Sequence, residues 1–124
     1  MTTQKNIKER SFEFSICIIS LCRKLNAKKH YEISGQLLRC GTSIGANVSE
    51  AGAAQSKKDF IHKMSIASKE ARETEYWLQL IVHSGIIDED MTEHLTEIRS
   101  LVNILTRIVK TSRENEVQKN CEKT

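Results

Sequence analysis

Residues 39–52 read RCGTSIGANVSEAG, and the fold turns on whether this is a phosphate-binding loop or a helix carrying small residues. Gly41 and Gly45 stand four apart, with no third glycine to complete G-x-G-x-x-G and no Gly-Lys-Ser/Thr ending. No strand-like run precedes them. At about 100° per residue, Leu37, Ile44 and Val48 share one narrow face of a helix. Gly41, Gly45 and Gly52 line up beside that face. A glycine inside a helix costs roughly 1 kcal/mol relative to alanine, so three on one side predict close approach by another helix. Arg39, Asn47 and Glu50 exclude a membrane span despite the GxxxG spacing. The stretch is a helix, extending over about 31–52.

Three more periodic segments flank it. Upstream, Phe14, Ile18, Leu21 and Leu25 repeat at 4-3-4 spacing, with Phe12, Ile16 and Ile19 as a neighbouring stripe. This predicts a helix over 7–27 with a wide apolar face, ended by the polar AKKHYE run. Downstream, Ser56-x-x-Asp59 has capping-box form. From there Phe60, Met64, Ala67, Ala71, Thr74, Leu78 and Ile81 keep a 4-3 repeat until Gly85 stops the helix, giving 57–84. The acidic IDEDMTE run suits the positive end of a fourth helix. Met91, Leu95, Ile98, Val102, Leu105 and Val109 carry that helix over 89–117, with 118–124 expected to fray. Four amphipathic helices with short connections predict an all-α, antiparallel up-and-down four-helix bundle, one domain over 1–124.

Composition agrees. The 124 residues include no proline, and aromatics are limited to Phe12, Phe14, Tyr31, Phe60, Tyr76 and Trp77. Both facts favour long helices over an all-β fold. Cys17, Cys22, Cys40 and Cys121 form no C-x-x-C pair and have no histidines at zinc-finger spacing, so a reduced cytoplasmic chain is expected. The Phe14–Cys22 run is too short to span a bilayer. Glu9 and Glu13 interrupt its approach and no small-residue cleavage site follows, which argues against an export signal.

Residues for chemistry are scarce. A di-iron bundle needs Glu-x-x-His pairs facing the core, and none occurs; Asp59-x-x-His62 is the nearest approach. His30, His62, His83 and His94 share no face and are expected in solvent. There is no G-x-S-x-G elbow and no Cys-His-Asn grouping. No catalytic residue, metal or cofactor is therefore expected. Asn47 lies at the edge of the second helix's apolar face, Glu50 one turn further on and Glu73 between Ile66 and Trp77, and a buried hydrogen-bond network is expected of them rather than a ligand site. Ile66 and Trp77 form a second row beside the main seam of the third helix. Trp77 serves either to finish the core or to make a subunit contact, since tryptophan is enriched at interfaces.

Charge is uneven. Residues 1–69 hold 12 Lys/Arg against 5 Asp/Glu, while residues 70–124 hold 7 against 11. In an up-and-down bundle, Lys5, Lys8, Arg10, Lys57, Lys58, Lys110 and Arg113 gather at one end, a surface able to attract nucleic-acid phosphates.

The run QLLRCGTSIGANVSEAGAAQSKKDFIHKMSIASKEARETEYWL, residues 36–78, resembles a known family. Gln36, Leu37, Arg39, Thr42, Ser43, Ile44, Ala46, Asn47, Glu50, Ser56, Phe60, Ile66, Ala67, Glu73 and Leu78 carry the likeness. It is to the four-helix-bundle proteins encoded in intervening sequences of bacterial 23S rRNA genes, the S23-like family. Its fold is shared with the accessory protein of diversity-generating retroelements. The resemblance implies a homopentameric ring with a basic surface for nucleic acid, a reverse transcriptase as a partner, and no enzymatic activity. Two departures stand out. Glu50-Ala51-Gly52-Ala53-Ala54 replaces Glu-Gly-x-Gly-Arg and lacks its arginine, and Lys69-Glu70 replaces Gly-Ser. The expected function is a homo-oligomeric module contacting RNA or DNA through phosphates. The alternative is an adaptor that assembles through helix faces and binds a protein.

Overall fold

The computed structural model describes residues 5–122, and within them the chain forms four helices: α1 (Ile7–Ala27), α2 (Tyr31–Gly52), α3 (Lys57–Ser84) and α4 (Thr92–Glu122). Three of the ends have a clear local cause. The Asn6 side chain accepts a hydrogen bond from the Glu9 amide at 2.9 Å and caps α1. Ser56 does the same for α3 through the Asp59 amide at 3.0 Å, as its capping-box form predicts. Gly85, at φ +64°, ends α3 in the left-handed region that favours glycine.

The fourth helix departs from expectation at both ends. It begins at Thr92 rather than 89, because the Asp90 carboxylate accepts from the Thr92 amide at 3.0 Å and from its hydroxyl at 2.6 Å. Asp90 thus acts as a cap outside the helix, and these two bonds hold its carboxyl below the usual carboxylate range. At the other end α4 continues to Glu122, past the expected limit of 117; only 123–124 of the expected frayed tail lie outside the described residues.

Cross-helix pairs show that successive helices run antiparallel. On α1 and α2, Gly45 faces Ser11 and Ser15, Gly41 faces Ile18, and Ser34 exchanges hydrogen bonds with Cys22. Between α2 and α3, Arg39 meets Glu70 and Glu73, and Glu50 meets Lys63. Between α3 and α4, Glu75, Arg72 and Ser65 meet Arg99, Thr106 and Arg113 in reverse order. The α1–α4 packing is the thinnest of the four neighbouring pairs. The core draws on every helix: Phe14, Ile18, Leu21 and Leu25; Leu37, Ile44 and Val48; Met64, Leu78 and Ile81; Ile98, Leu101 and Leu105. Each of the predicted repeats supplies its buried face.

Two of the three glycines do what their alignment predicts. A Cβ on Gly41 would lie 2.9 Å from Ile18 Cγ2, and one on Gly45 would lie 3.2 Å from the Ser11 carbonyl oxygen. Gly52 has nothing within 4 Å of where its Cβ would stand, so it is no part of the close approach. It is the last residue of α2, and the antiparallel register sets it level with the residues that precede α1.

Candidate nucleic-acid interface

Between α3 and α4 runs an open groove of about 500 Å³. One wall presents Ser65, Ser68, Lys69 and Arg72, the other Thr106, Lys110 and Arg113, with Val109 in the floor and Glu114 at one end. Helical spacing builds both walls. Residues 65, 68, 69 and 72, like 106, 110 and 113, recur at intervals of three and four and so fall on one side of their helices. The antiparallel register then sets Arg72 against Thr106 and Arg113 against Ser65.

Those two arginines are held by neutral oxygens. Arg72 Nη2 donates to Thr106 Oγ1 at 2.9 Å, and Arg113 Nη2 donates to Ser65 Oγ at 3.2 Å. Among the described residues none of Lys69, Arg72, Lys110 and Arg113 forms an ion pair. Arg10, Arg39 and Arg99 contrast with them, each being bonded to glutamate. The groove therefore keeps its positive charge and most of its N–H donors free for an anion.

The expected basic end is only partly realised. Lys110 and Arg113 line the groove. Lys5 is paired with Glu13 at 2.8 Å, and Arg10 is paired with Glu97 across the α1–α4 seam while also donating to Ser100. Each thus already holds a carboxylate partner, two turns on for Lys5 and on the facing helix for Arg10. Lys8 and Lys58 are exposed, and the Lys57 ammonium stands 5.8 Å from the Phe60 ring centre. Lys69 and Arg72 were not among the expected cations. Their three-residue spacing was visible, but the wall they face is set by the α3–α4 register, which one sequence does not supply.

The polar trio separates. The Asn47 amide donates to the Ser43 carbonyl and hydroxyl of its own helix at 2.9 and 3.0 Å. Glu73 accepts from Arg39 and, at 3.1 Å, from the Trp77 indole nitrogen. The Glu73 bonds tie α2 to α3 at a half-exposed site, while Asn47 bonds only within its own helix, so the single buried network expected of the three does not form. Glu50 is a correction: it is exposed and pairs with Lys63 at 2.8 Å, since it projects to the flank of α2 rather than the core. Ile66 and Trp77 are half-buried, and Trp77 packs against the core of its own chain. A bare apolar stripe lies on α1, where Phe12, Ile16 and Ile19 are 67%, 54% and 41% exposed.

Two histidines are not solvated as expected. His30 Nε2 lies 3.0 Å from the Ile86 carbonyl and ties the α1–α2 turn to the α3–α4 turn. His94 sits at the α1–α4 seam beside a cavity of about 200 Å³ lined by Phe14, Cys17, Glu93 and Glu97, and its Nδ1 is buried without a hydrogen-bond partner. Burial, aided by nearby Lys24, pushes its pKa down. Burial raises the thiols of Cys22 and Cys40, which behave as small apolar residues. Among the described residues no three His, Cys, Asp or Glu are grouped to hold a metal ion, and no helix is long and apolar enough to cross a membrane.

The fold defines the class, an antiparallel four-helix bundle. Within that class, the chain belongs to the 23S rRNA-intervening sequence protein family, which it matches over residues 3–110. It is similar to a crystal structure of a protein of unknown function from the S23 ribosomal protein family of Bacteroides thetaiotaomicron VPI-5482. The two share 43% identity and a TM-score of 0.79 over 85% of this chain and 99% of that one. No functionally curated protein shows significant similarity to the chain.

Proposed function

We propose that the chain is a non-enzymatic, homo-oligomeric bundle of the cytoplasm that binds RNA or DNA through phosphates with little sequence preference. The α3–α4 groove carries this reading, because four cations without carboxylate partners converge on it. Assembly strengthens the case. The formal charge is +3, so a pentamer of the kind the resemblance implies bears about +15 on one particle. Copies would meet through the bare α1 stripe of Phe12, Ile16 and Ile19, where an apolar surface otherwise faces water.

That same stripe favours a second reading, an adaptor whose partner is another protein. Binding of a labelled structured RNA and a matched DNA duplex across a salt series separates the two. Micromolar or tighter binding that weakens steeply with salt supports the phosphate-contact module. No binding at low salt leaves the adaptor.

A further inference from the structure

Resting on that reading, we infer that the α3–α4 groove takes the sugar–phosphate backbone of a double-helical nucleic acid and does not reach the bases. The absence of stacking surfaces is the first reason. No aromatic side chain lines the groove, whereas general single-strand binding sites pair their cations with aromatic platforms on which bases stack. A flexible strand laid here would lose its freedom and gain only phosphate contacts. A duplex brings its phosphates already ordered and its bases already stacked, so the same contacts suffice.

The form of the groove is the second reason. Its cations stand on both walls of a helix pair between the levels of Ser65 and Arg72. That is seven residues, or roughly 10 Å at about 1.5 Å per residue. Such a length covers about three steps of one strand, each phosphate advancing roughly 3.4 Å along a duplex axis. Arg72 and Arg113 are pre-oriented by Thr106 and Ser65 at opposite ends of this length, and Lys69 and Lys110 stand between them. Ser68 and the bound hydroxyls keep O–H groups able to meet either a phosphate oxygen or a ribose 2′-hydroxyl. Duplex RNA and duplex DNA therefore present the same phosphodiester chemistry, to be told apart as arms of the test. Glu114 closes the Arg113 end and repels a backbone that would run further.

Fluorescence anisotropy of the intact protein tests this with labelled 20-nucleotide probes of one sequence: single-stranded RNA, duplex RNA and duplex DNA, each with a scrambled version. Duplex binding at least tenfold tighter than the single strand, unaltered by scrambling, is the expected result. Replacing Arg72→Gln and Arg113→Gln together should flatten the duplex salt slope by about 1.8, at roughly 0.9 per lost phosphate contact. The Lys69→Gln/Lys110→Gln pair should act alike, which guards against one variant misfolding; circular dichroism checks both. Single-strand binding equal to or tighter than duplex binding overturns the inference while leaving the nucleic-acid reading in place. So does duplex binding whose slope neither folded variant changes. No binding of any probe at low salt overturns both.

Discussion

Gly35 and Gly41 lie on the same helix and should respond to alanine with opposite signs. At Gly35 the added Cβ meets nothing within 4 Å, so the substitution yields the helix-propensity gain alone, about 0.5–1 kcal/mol. For a chain of this length that is a rise of roughly 2–4 °C in melting temperature. At Gly41 the Cβ would stand 2.9 and 3.0 Å from the two γ carbons of Ile18, which is fully buried. Overpacking of this kind costs about 1–3 kcal/mol, so after the propensity gain Gly41→Ala should lose about 1 kcal/mol. Removing the obstacle reverses the sign. Ile18→Ala alone should cost about 2–5 kcal/mol, but within that background Gly41→Ala should become stabilising, because both γ carbons are gone. Urea unfolding followed by far-UV circular dichroism reads all four corners of the cycle. If Gly41→Ala stabilises the otherwise native chain as much as Gly35→Ala does, the close packing of α1 on α2 is refuted. A Gly41→Ala loss that persists with Ile18→Ala would show that the strain lies elsewhere.

Further outcomes follow from the seam, the bare stripe and Trp77. His94 has its folded pKa pushed below the ordinary 6.5, so as pH falls the unfolded chain takes the proton first. Stability should be full above about pH 6.5 and decline as pH drops toward the folded pKa, with His94→Gln flattening that decline in urea midpoints measured across pH 5–8. In assembly, Ile16→Glu should reduce the solution mass measured by light scattering. Trp77→Ala should leave it unchanged while lowering stability by about 2–3 kcal/mol through lost packing and the lost bond to Glu73. A mass change in Trp77→Ala alone would move the subunit contact to α3.

The buried faces were legible because they obey a helical period, as Phe14, Ile18, Leu21 and Leu25 do on α1. The caps at Ser56 and Gly85 were legible because their chemistry is local. What escaped depends on how helices face each other. Lys69 and Arg72 form a site only because α4 brings Lys110 and Arg113 across from them. The partner of Arg10, Glu97, is likewise set by how α1 faces α4. The three glycines look alike along the chain, yet Gly52 sits where α1 is out of reach. Asp90 was read as part of a helix because an acidic residue suits both the first turn and the cap preceding it; only its bonds to Thr92 decide between them.

The thin seam between α1 and α4 gives the bundle an inner pair and two outer helices. α2 and α3 are each packed on two sides, while α1 and α4 are each packed mainly on one. Local opening should therefore begin with an outer helix peeling away, and amide exchange should be slowest on α2 and α3. A polyanion in the α3–α4 groove touches one inner and one outer helix at once. Its occupancy would clamp α4 to the rest of the molecule and slow exchange there, while leaving α1 as free to open as before.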